Sequence, residues 1–333
     1  MQIPVGRRAL VIGITGQDGA YLAQHLLDAG YTVFGSSRDA RPSSLGGLHA
    51  LGIAGRVQVV QMAPTDFRSV LQTVSRVEPE EIYNLSGQSS VATSFGQPIE
   101  TLESVMVATA NLLEAVRFLG LERRVRLYSA CSSECFGDTG GLSATEKTPF
   151  QPSSPYAVAK AAAFWLVANY RDAYGLFACS GILFNHESPL RGDRFVTRKI
   201  ISAAVRIAHG STERLRLGNL QVERDWGWAP EYVVAMHKML QQETAEDFVV
   251  ATGRTVSLAH FVETSFAAVG LDSQQHVDID PSLLRPSDLA SSKADPRHAA
   301  DRLGWQAGVS VEQVIARIVE HETRLVARTG TVR

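Results

Sequence analysis

Between the apolar run Ala9-Leu10-Val11-Ile12 and a stretch carrying Tyr21, Leu22, Leu26 and Leu27 at helical spacing lies Gly13-Ile14-Thr15-Gly16-Gln17-Asp18-Gly19. A buried strand, a glycine-rich turn and a helix in that order leave few folds open. Such a turn lets backbone N–H groups approach a pyrophosphate at the helix N-terminus, where unsatisfied donors and the positive end of the dipole attract anions. A glycine turn needed only for tight packing would read the same in isolation, but its place between strand and helix favours a dinucleotide site. Gly13, Thr15, Gly16, Gln17, Asp18 and Gly19 are the first candidate cofactor ligands.

The pattern continues. Strand-like runs follow at Tyr31 to Phe34, Val57 to Met62, Ile82 to Leu85, Val125 to Ser129 and Phe177 to Phe184, separated by helical stretches such as Thr101 to Gly120. Ser154-Pro155 supply an N-cap and a proline at the first helical position for a helix reaching about Ala173. No window repeats at a fixed period. Alternating β and α units predict a Rossmann-type α/β fold, a doubly wound parallel sheet over residues 1–185. Beyond Asn185 the alternation stops, which predicts a smaller, mixed C-terminal substrate lobe over 186–333. The strand-like run Phe248 to Ala251 makes that boundary discontinuous, with a return segment near 220–255.

Charge and cysteine content narrow the partners. Lys plus Arg number 32 against 34 Asp plus Glu, a net charge of −2 that gives no basic surface for nucleic acid or an anionic membrane. No apolar run reaches the roughly 18 residues a membrane helix needs, and Met1 to Arg8 lacks the apolar stretch of a signal peptide. Cys131, Cys135 and Cys179 have neither the spacing nor the histidine partners of a zinc site or disulfide framework, so no metal is expected and the cytoplasm is the expected location.

Two further features carry chemistry. After the second strand, where Asp or Glu would bond a ribose 2′-OH, the chain reads Ser36-Ser37-Arg38, which suits a 2′-phosphate and favours NADP, with NAD as the alternative. Arg41 is a second candidate cation that the sequence does not rank against Arg38. Tyr156 and Lys160 stand four apart on one helix, so they share a face. A nearby ammonium, helped by a cationic nicotinamide, is expected to lower the tyrosine pKa and let it take a proton from an alcohol as hydride leaves. The Tyr-x-x-x-Lys spacing alone is a common accident; following a dinucleotide turn and five strands, it reads as catalytic.

These motifs, with Gly181 to Pro189 (Gly-Ile-Leu-Phe-Asn-His-Glu-Ser-Pro), Phe195 to Ile200, Leu217-Gly218-Asn219, Arg224 to Gly227, Ala251-Thr252-Gly253 and Leu303-Gly304-Trp305, resemble the extended short-chain dehydrogenase/reductases and, more narrowly, the GDP-mannose 4,6-dehydratase family. The resemblance covers nearly the whole chain. It implies Ser132, Glu134, Tyr156 and Lys160 as the catalytic set, adds Leu85 and Gln88 to the cofactor ligands, and places Asn185, Arg191, Val196, Lys199, Arg224, Arg285 and Asp288 at substrate-binding positions. It also implies a tightly bound, recycled NADP, a GDP-sugar substrate, and a homodimer or homotetramer built on the helices Thr101 to Gly120 and Pro155 to Ala173. A 4,6-dehydratase must remove the C5 proton and expel the C6 hydroxyl, which is the role implied for Glu134.

Departures from the family pattern cluster at the cofactor edge: Ser37-Arg38-Asp39-Ala40-Arg41-Pro42 stands where paired arginines are usual, Ala63 where an aspartate is usual, and Ser86-Gly87 within Asn84 to Gln88. Asp288 stands for a usual Glu, and Ser132 for a frequent threonine. Trp226 and Trp228 read as packing residues and His186 as a hydrogen-bonded structural histidine. The alternatives are a dehydratase for another GDP-sugar such as a heptose, a GDP-4-keto-6-deoxyhexose reductase, C4 epimerisation, and a non-catalytic NADP- or GDP-sugar-binding protein.

Overall fold

The computed structural model describes residues 6–284 and 287–329. Seven parallel strands form the main sheet: β1 (Arg8–Ile12), β2 (Thr32–Ser37), β3 (Gln58–Gln61), β4 (Glu81–Asn84), β5 (Arg126–Ser132), β6 (Phe177–Leu183) and, after an excursion through three short strands, β10 (Phe248–Val250). Their order is β10-β6-β5-β4-β1-β2-β3, reversing direction beside β1. Ala9, Leu10, Val11 and Ile12 are all fully buried, as expected of a strand covered by helices on both faces.

The excursion comprises β7 (Asn185–Glu187), β8 (Leu215–Leu217) and β9 (Glu223–Trp228); β11 (Thr255–Ser257) and β12 (Val277–Ile279) follow β10. β11, β9 and β7 make a three-stranded sheet, and β12 pairs with β8. This lobe has its own core, including Ile200, Val205, Leu217, Phe261, Val314 and Ile318. Trp226 belongs to it, packed 5.1 Å from Phe261. The segment between the lobe strands returns to the main sheet: helix Ala229–Leu240 sets Tyr232, Val233 and Met236 against Ala20, Leu22 and Ala23 of helix Gln17–Asp28, and β10 pairs with β6.

The helix expected over Thr101 to Gly120 runs from Pro98 to Phe118, with a π-helical turn at Glu103–Val107. Helix Pro155–Tyr174 starts where the sequence signals placed it: Ser154 Oγ accepts from the Ala157 N–H at 3.1 Å, Pro155 opens the first turn, and Gly175 at φ +67° ends it. β5 runs three residues past the predicted Ser129 and so delivers Ser132 to the carboxyl end of the sheet. No helix among the described residues is long and apolar enough to cross a membrane.

Candidate active site

The carboxyl ends of β1, β4, β5 and β6 open onto one cleft, where the strand order reverses. Gly13 has φ +87°, and a Cβ there would lie 2.9 Å from the Leu85 carbonyl oxygen, so only glycine brings the turn so close to the segment after β4. A Cβ on Gly19 would meet the Gly13 oxygen at 2.3 Å, which would push helix Gln17–Asp28 off the turn. That helix is capped by Gly16, which has no side chain to satisfy the first-turn N–H groups. They face a cavity of about 770 Å³ lined by Gly13, Thr15, Gly16, Gln17, Asp18, Gly19, Arg38, Leu85 and Gln88. All nine cofactor candidates therefore meet in one place, and the free N–H groups fit the pyrophosphate of a dinucleotide. Gln88 is fixed from both ends, its N–H donating to Ser104 Oγ at 3.2 Å and its amide to Thr101 Oγ1 at 3.2 Å.

A second cavity, of about 300 Å³, adjoins the first and collects Ser132, Glu134, Tyr156 and Lys160 with Asn185, Arg191, Val196, Arg224 and Asp288. Lys199 lines neither cavity; its ammonium donates to the Arg216 carbonyl at 2.8 Å. Arg285 lies outside the described residues. Ser132 Oγ accepts from the Glu134 N–H at 3.3 Å and caps the short turn Ser133–Phe136, which sets Glu134 directly after the end of β5.

Tyr156 and Lys160 lie one turn apart, the ammonium 5.9 Å from the phenol ring centre. Lys160 Nζ donates to the Ala130 carbonyl at 2.6 Å. Burial lowers the Lys160 pKa; it also raises that of Tyr156 far above the ordinary phenol range, against a hydrogen bond with Ser132 that works the other way. The expected lowering of the tyrosine pKa is therefore not a property of the protein alone. Desolvation outweighs the Ser132 hydrogen bond, the Lys160 ammonium is engaged with a carbonyl, and the phenol rests protonated.

At the junction of the cavities, His186 Nδ1 lies 2.7 Å from the Phe184 carbonyl oxygen and Nε2 lies 2.9 Å from Asp18 Oδ2. Both neighbours can only accept, so both nitrogens carry protons and His186 is an imidazolium. Burial opposes the charge, but the Asp18 carboxylate more than offsets it and raises the His186 pKa; Asp18, largely shielded from solvent yet paired with His186, is lowered to about 2. Tyr232 stacks on the ring at 4.5 Å. Gln17 bonds both Asp18 Oδ1 and the His186 carbonyl, and Ser188 Oγ donates to Gln17 Oε1 at 2.7 Å. The glycine turn is thus tied to the segment after β6.

Several participants were not read from the sequence. Glu187, fully buried, accepts from Thr197 Oγ1 at 2.7 Å and pairs with Arg191 Nε at 3.2 Å, which presses the guanidinium 3.6 Å over the Phe195 ring. The Glu187–Arg191 spacing of four was the available signal. Arg194 Nη2 donates to Ser89 Oγ at 3.2 Å across the mouth of both cavities, a contact between positions 105 apart that no local pattern announces. Arg224 and Asp288, read as separate substrate ligands, form an ion pair at 3.0 Å, and Arg224 Nη1 also donates to the Leu289 carbonyl at 2.8 Å.

A reversing parallel sheet, a glycine turn at its centre and a Ser-Tyr-Lys set beside it define an extended short-chain dehydrogenase/reductase. Comparison with known proteins narrows this. The family model described as GDP-mannose 4,6 dehydratase matches residues 10–318. GDP-mannose 4,6 dehydratase 1 of Arabidopsis thaliana is 43% identical over 328 residues, covering 96% of this chain and 91% of the relative. The GDP-mannose 4,6-dehydratase of Yersinia enterocolitica is 40% identical over 354 residues, covering 94% and 93%. Among solved structures, dTDP-glucose 4,6-dehydratase of Bacillus anthracis in complex with NAD superposes with a TM-score of 0.84 at 17% identity, over 98% of this chain and 100% of that one. The chain belongs to the GDP-mannose 4,6-dehydratase family.

Proposed function

We propose that this protein is a hydro-lyase that converts GDP-mannose to GDP-4-keto-6-deoxymannose, with NADP as a tightly held, recycled cofactor. The observation that carries the reading is that Glu134 opens on the same cavity as Ser132, Tyr156 and Lys160. Redox at one carbon needs the tyrosine; elimination at the neighbouring bond needs a second acid/base, which is what a reductase or epimerase has no use for. A nicotinamide dinucleotide held by the glycine turn, Arg38, Leu85 and Gln88 would supply the hydride chemistry needed at C4 and C6.

The protein's residues do the rest. Ser132 hydrogen-bonds the C4 oxygen, and Tyr156 takes the C4 hydroxyl proton. Once substrate and cofactor displace its carbonyl contact, Lys160 is placed to stabilise Tyr156 as the phenolate, its proton released to solvent, before that phenolate accepts the C4 hydroxyl proton. Glu134 removes the C5 proton, made acidic by the C4 ketone, and gives a proton to the departing C6 hydroxyl, so that water leaves; a solvent proton then returns to C5 while Tyr156 gives up the C4 hydroxyl proton to solvent. Atoms balance with the loss of one water and no net change in the cofactor. Arg191, Arg224 and the lobe residues Asn185, Val196 and Asp288 would receive the nucleotide diphosphate and sugar, guanidinium groups being suited to phosphate oxygens. Lys199 and Arg285 belong to the same proposal; for Lys199 it requires the ammonium to leave the Arg216 carbonyl.

For the cofactor, Arg38 in the cavity beside Ser36 and Ser37 supports a 2′-phosphate and therefore NADP over NAD. For assembly, helices Pro98–Leu102 and Pro155–Tyr174 leave Ile99, Val158 and Trp165 exposed, Trp165 by 61%, which supports a homodimer through these helices. A cytoplasmic location is supported by three buried, free thiols.

Proton NMR of the purified protein with GDP-mannose and catalytic NADP⁺ in D₂O tests the function. The reading expects a 4-keto-6-deoxy product with deuterium at C5 and no net cofactor consumption. Stoichiometric oxidation of added NADPH, or turnover only with a GDP-heptose, would replace it with the reductase or heptose reading.

A further inference from the structure

The segment after β2 carries a contradiction. Arg38 and Asp39 both line the cofactor cavity with Ser36 and Ser37. A cation there welcomes a 2′-phosphate, whereas a carboxylate there bonds a ribose 2′-OH and repels the phosphate. The structure resolves the conflict through a residue that lines neither cavity. Arg41 Nη2 donates to Asp39 Oδ2 at 2.6 Å, and its Nε reaches Oδ1 at 2.9 Å and Oδ2 at 3.1 Å. The Arg41 backbone N–H donates to Oδ1 at 3.0 Å. Both carboxylate oxygens are engaged.

The backbone holds this arrangement in place. The Asp39 N–H donates to Ser37 Oγ at 3.2 Å, and Ser44 Oγ donates to the Asp39 carbonyl at 2.7 Å. Pro42 follows Arg41 and opens a short turn, Pro42–Ser44, which keeps Arg41 extended at φ −65°, ψ 145°. The pair is exposed, Arg41 by 79% and Asp39 by 40%, but the turn fixes the backbone of both residues, which lowers the ordering cost of closing the guanidinium on the carboxylate.

We propose that Arg41 is a positioning residue for cofactor choice: it neutralises and occupies the Asp39 carboxylate, so that Arg38 alone sets the charge met by the adenosine 2′ position and the pocket accepts NADP. The inference rests on the NADP reading above. The Arg41 guanidinium does not meet the dinucleotide; its effect passes through Asp39.

The test is calorimetric binding of NADP⁺ and NAD⁺ to the full-length protein cleared of bound dinucleotide, in the wild type, R41A, D39A and D39A/R41A. Unmasking a carboxylate beside a phosphate is a like-charge contact in a solvent-screened site, so R41A is expected to bind NADP⁺ about tenfold more weakly and NAD⁺ within about threefold of wild type. D39A/R41A is expected to bring NADP⁺ affinity back to within about threefold, because the repelling group has gone. The R41A loss should shrink as salt rises. NAD⁺ binding by each variant shows that the site remains folded. An R41A protein that keeps its NADP⁺ affinity overturns the inference, as does a double variant as weak as R41A, which would mean that Arg41 touches the phosphate itself. A wild-type protein that binds NAD⁺ as tightly as NADP⁺ overturns the NADP reading and this inference with it. Wild-type preference for NADP⁺ together with an indifferent R41A removes the inference alone.

Discussion

At the carboxyl end of the sheet a half-buried carboxylate, Asp18, holds His186 as an imidazolium; at the amino end a fully buried carboxylate, Glu81, sits in a network with His237 in which every imidazole is neutral. Glu81 accepts from Arg7, Tyr31 and Gln241 on one oxygen, each at 3.0 Å, and from Tyr83 on the other at 2.7 Å. Tyr31, having donated to Glu81, accepts from His237 Nε2 at 3.1 Å, so His237 Nδ1 is left to accept from His25 Nε2 at 2.9 Å. A second proton on His237 would meet a donor. Burial first, then the nearby His25 and Arg7, lowers the His237 pKa to about 4. Both ends pair a carboxylate with histidine, and the two cavities of the candidate active site both open at the carboxyl end. Buried charge marks function where its neighbours leave a side open to a ligand, and marks structure where the neighbours use it up.

The largest expected effect breaks the carboxyl end without touching the fold. Tyr156→Phe should lower kcat by on the order of a thousandfold, with the melting temperature little changed, since it removes a proton acceptor and leaves the ring. Steady-state kinetics and thermal melts measure the two. At the amino end the signs exchange: Glu81→Ala leaves Tyr31 and Tyr83 buried without their carboxylate acceptor, takes one partner from the half-buried Arg7, and should destabilise the protein by about 4 kcal/mol in urea melts. The kcat of the folded fraction should stay within about twofold of wild type if that end is purely structural.

Much of this comparison was legible in the chain. Ala9 to Ile12, the glycine turn and Ser154-Pro155 each combine a local pattern with a local cause, so their strand, turn and cap stand where expected. Tyr156 and Lys160, picked out by motif spacing, and Glu134, picked out by the family resemblance, line one cavity. The Asp18–His186, Arg194–Ser89 and Arg224–Asp288 contacts were not, because they join positions far apart that only the folded sheet brings together. The His25–Tyr31–His237–Glu81 network escaped for the same reason. The raised tyrosine pKa of the protein alone was not legible because its dominant cause, burial, depends on tertiary packing rather than on the spacing to Lys160.

pH separates the two ends next. His237 has a folded pKa below its unfolded value near 6.5, so the unfolded chain binds more protons between about pH 6.5 and 4 and stability falls as pH drops through that window. The loss should approach about 3 kcal/mol in urea melts at pH 7 against pH 4, and His237→Gln should flatten that limb. His186 has the opposite sign. Its pKa is raised, so its contribution is full below about 6.5 and is lost as pH rises through the folded value, while the share from Asp18 is lost only on acidification from about 4 towards 2. The smallest effect concerns placement: Ser154→Ala removes the cap of the helix that carries Tyr156 and Lys160 and should cost about 1 kcal/mol of stability, read as a lower melting temperature.

The central claim is that Glu134 turns a dehydrogenase site into a dehydratase. Glu134→Gln, mixed with GDP-mannose and stoichiometric NADP⁺ in D₂O, tests it most directly. The account expects reduced cofactor to accumulate, with a 4-keto sugar that keeps its C6 hydroxyl and exchanges its C5 proton slowly. A variant that still releases water at the wild-type rate, or one that no longer oxidises C4 at all while binding substrate normally, would contradict the division of labour between Tyr156 and Glu134.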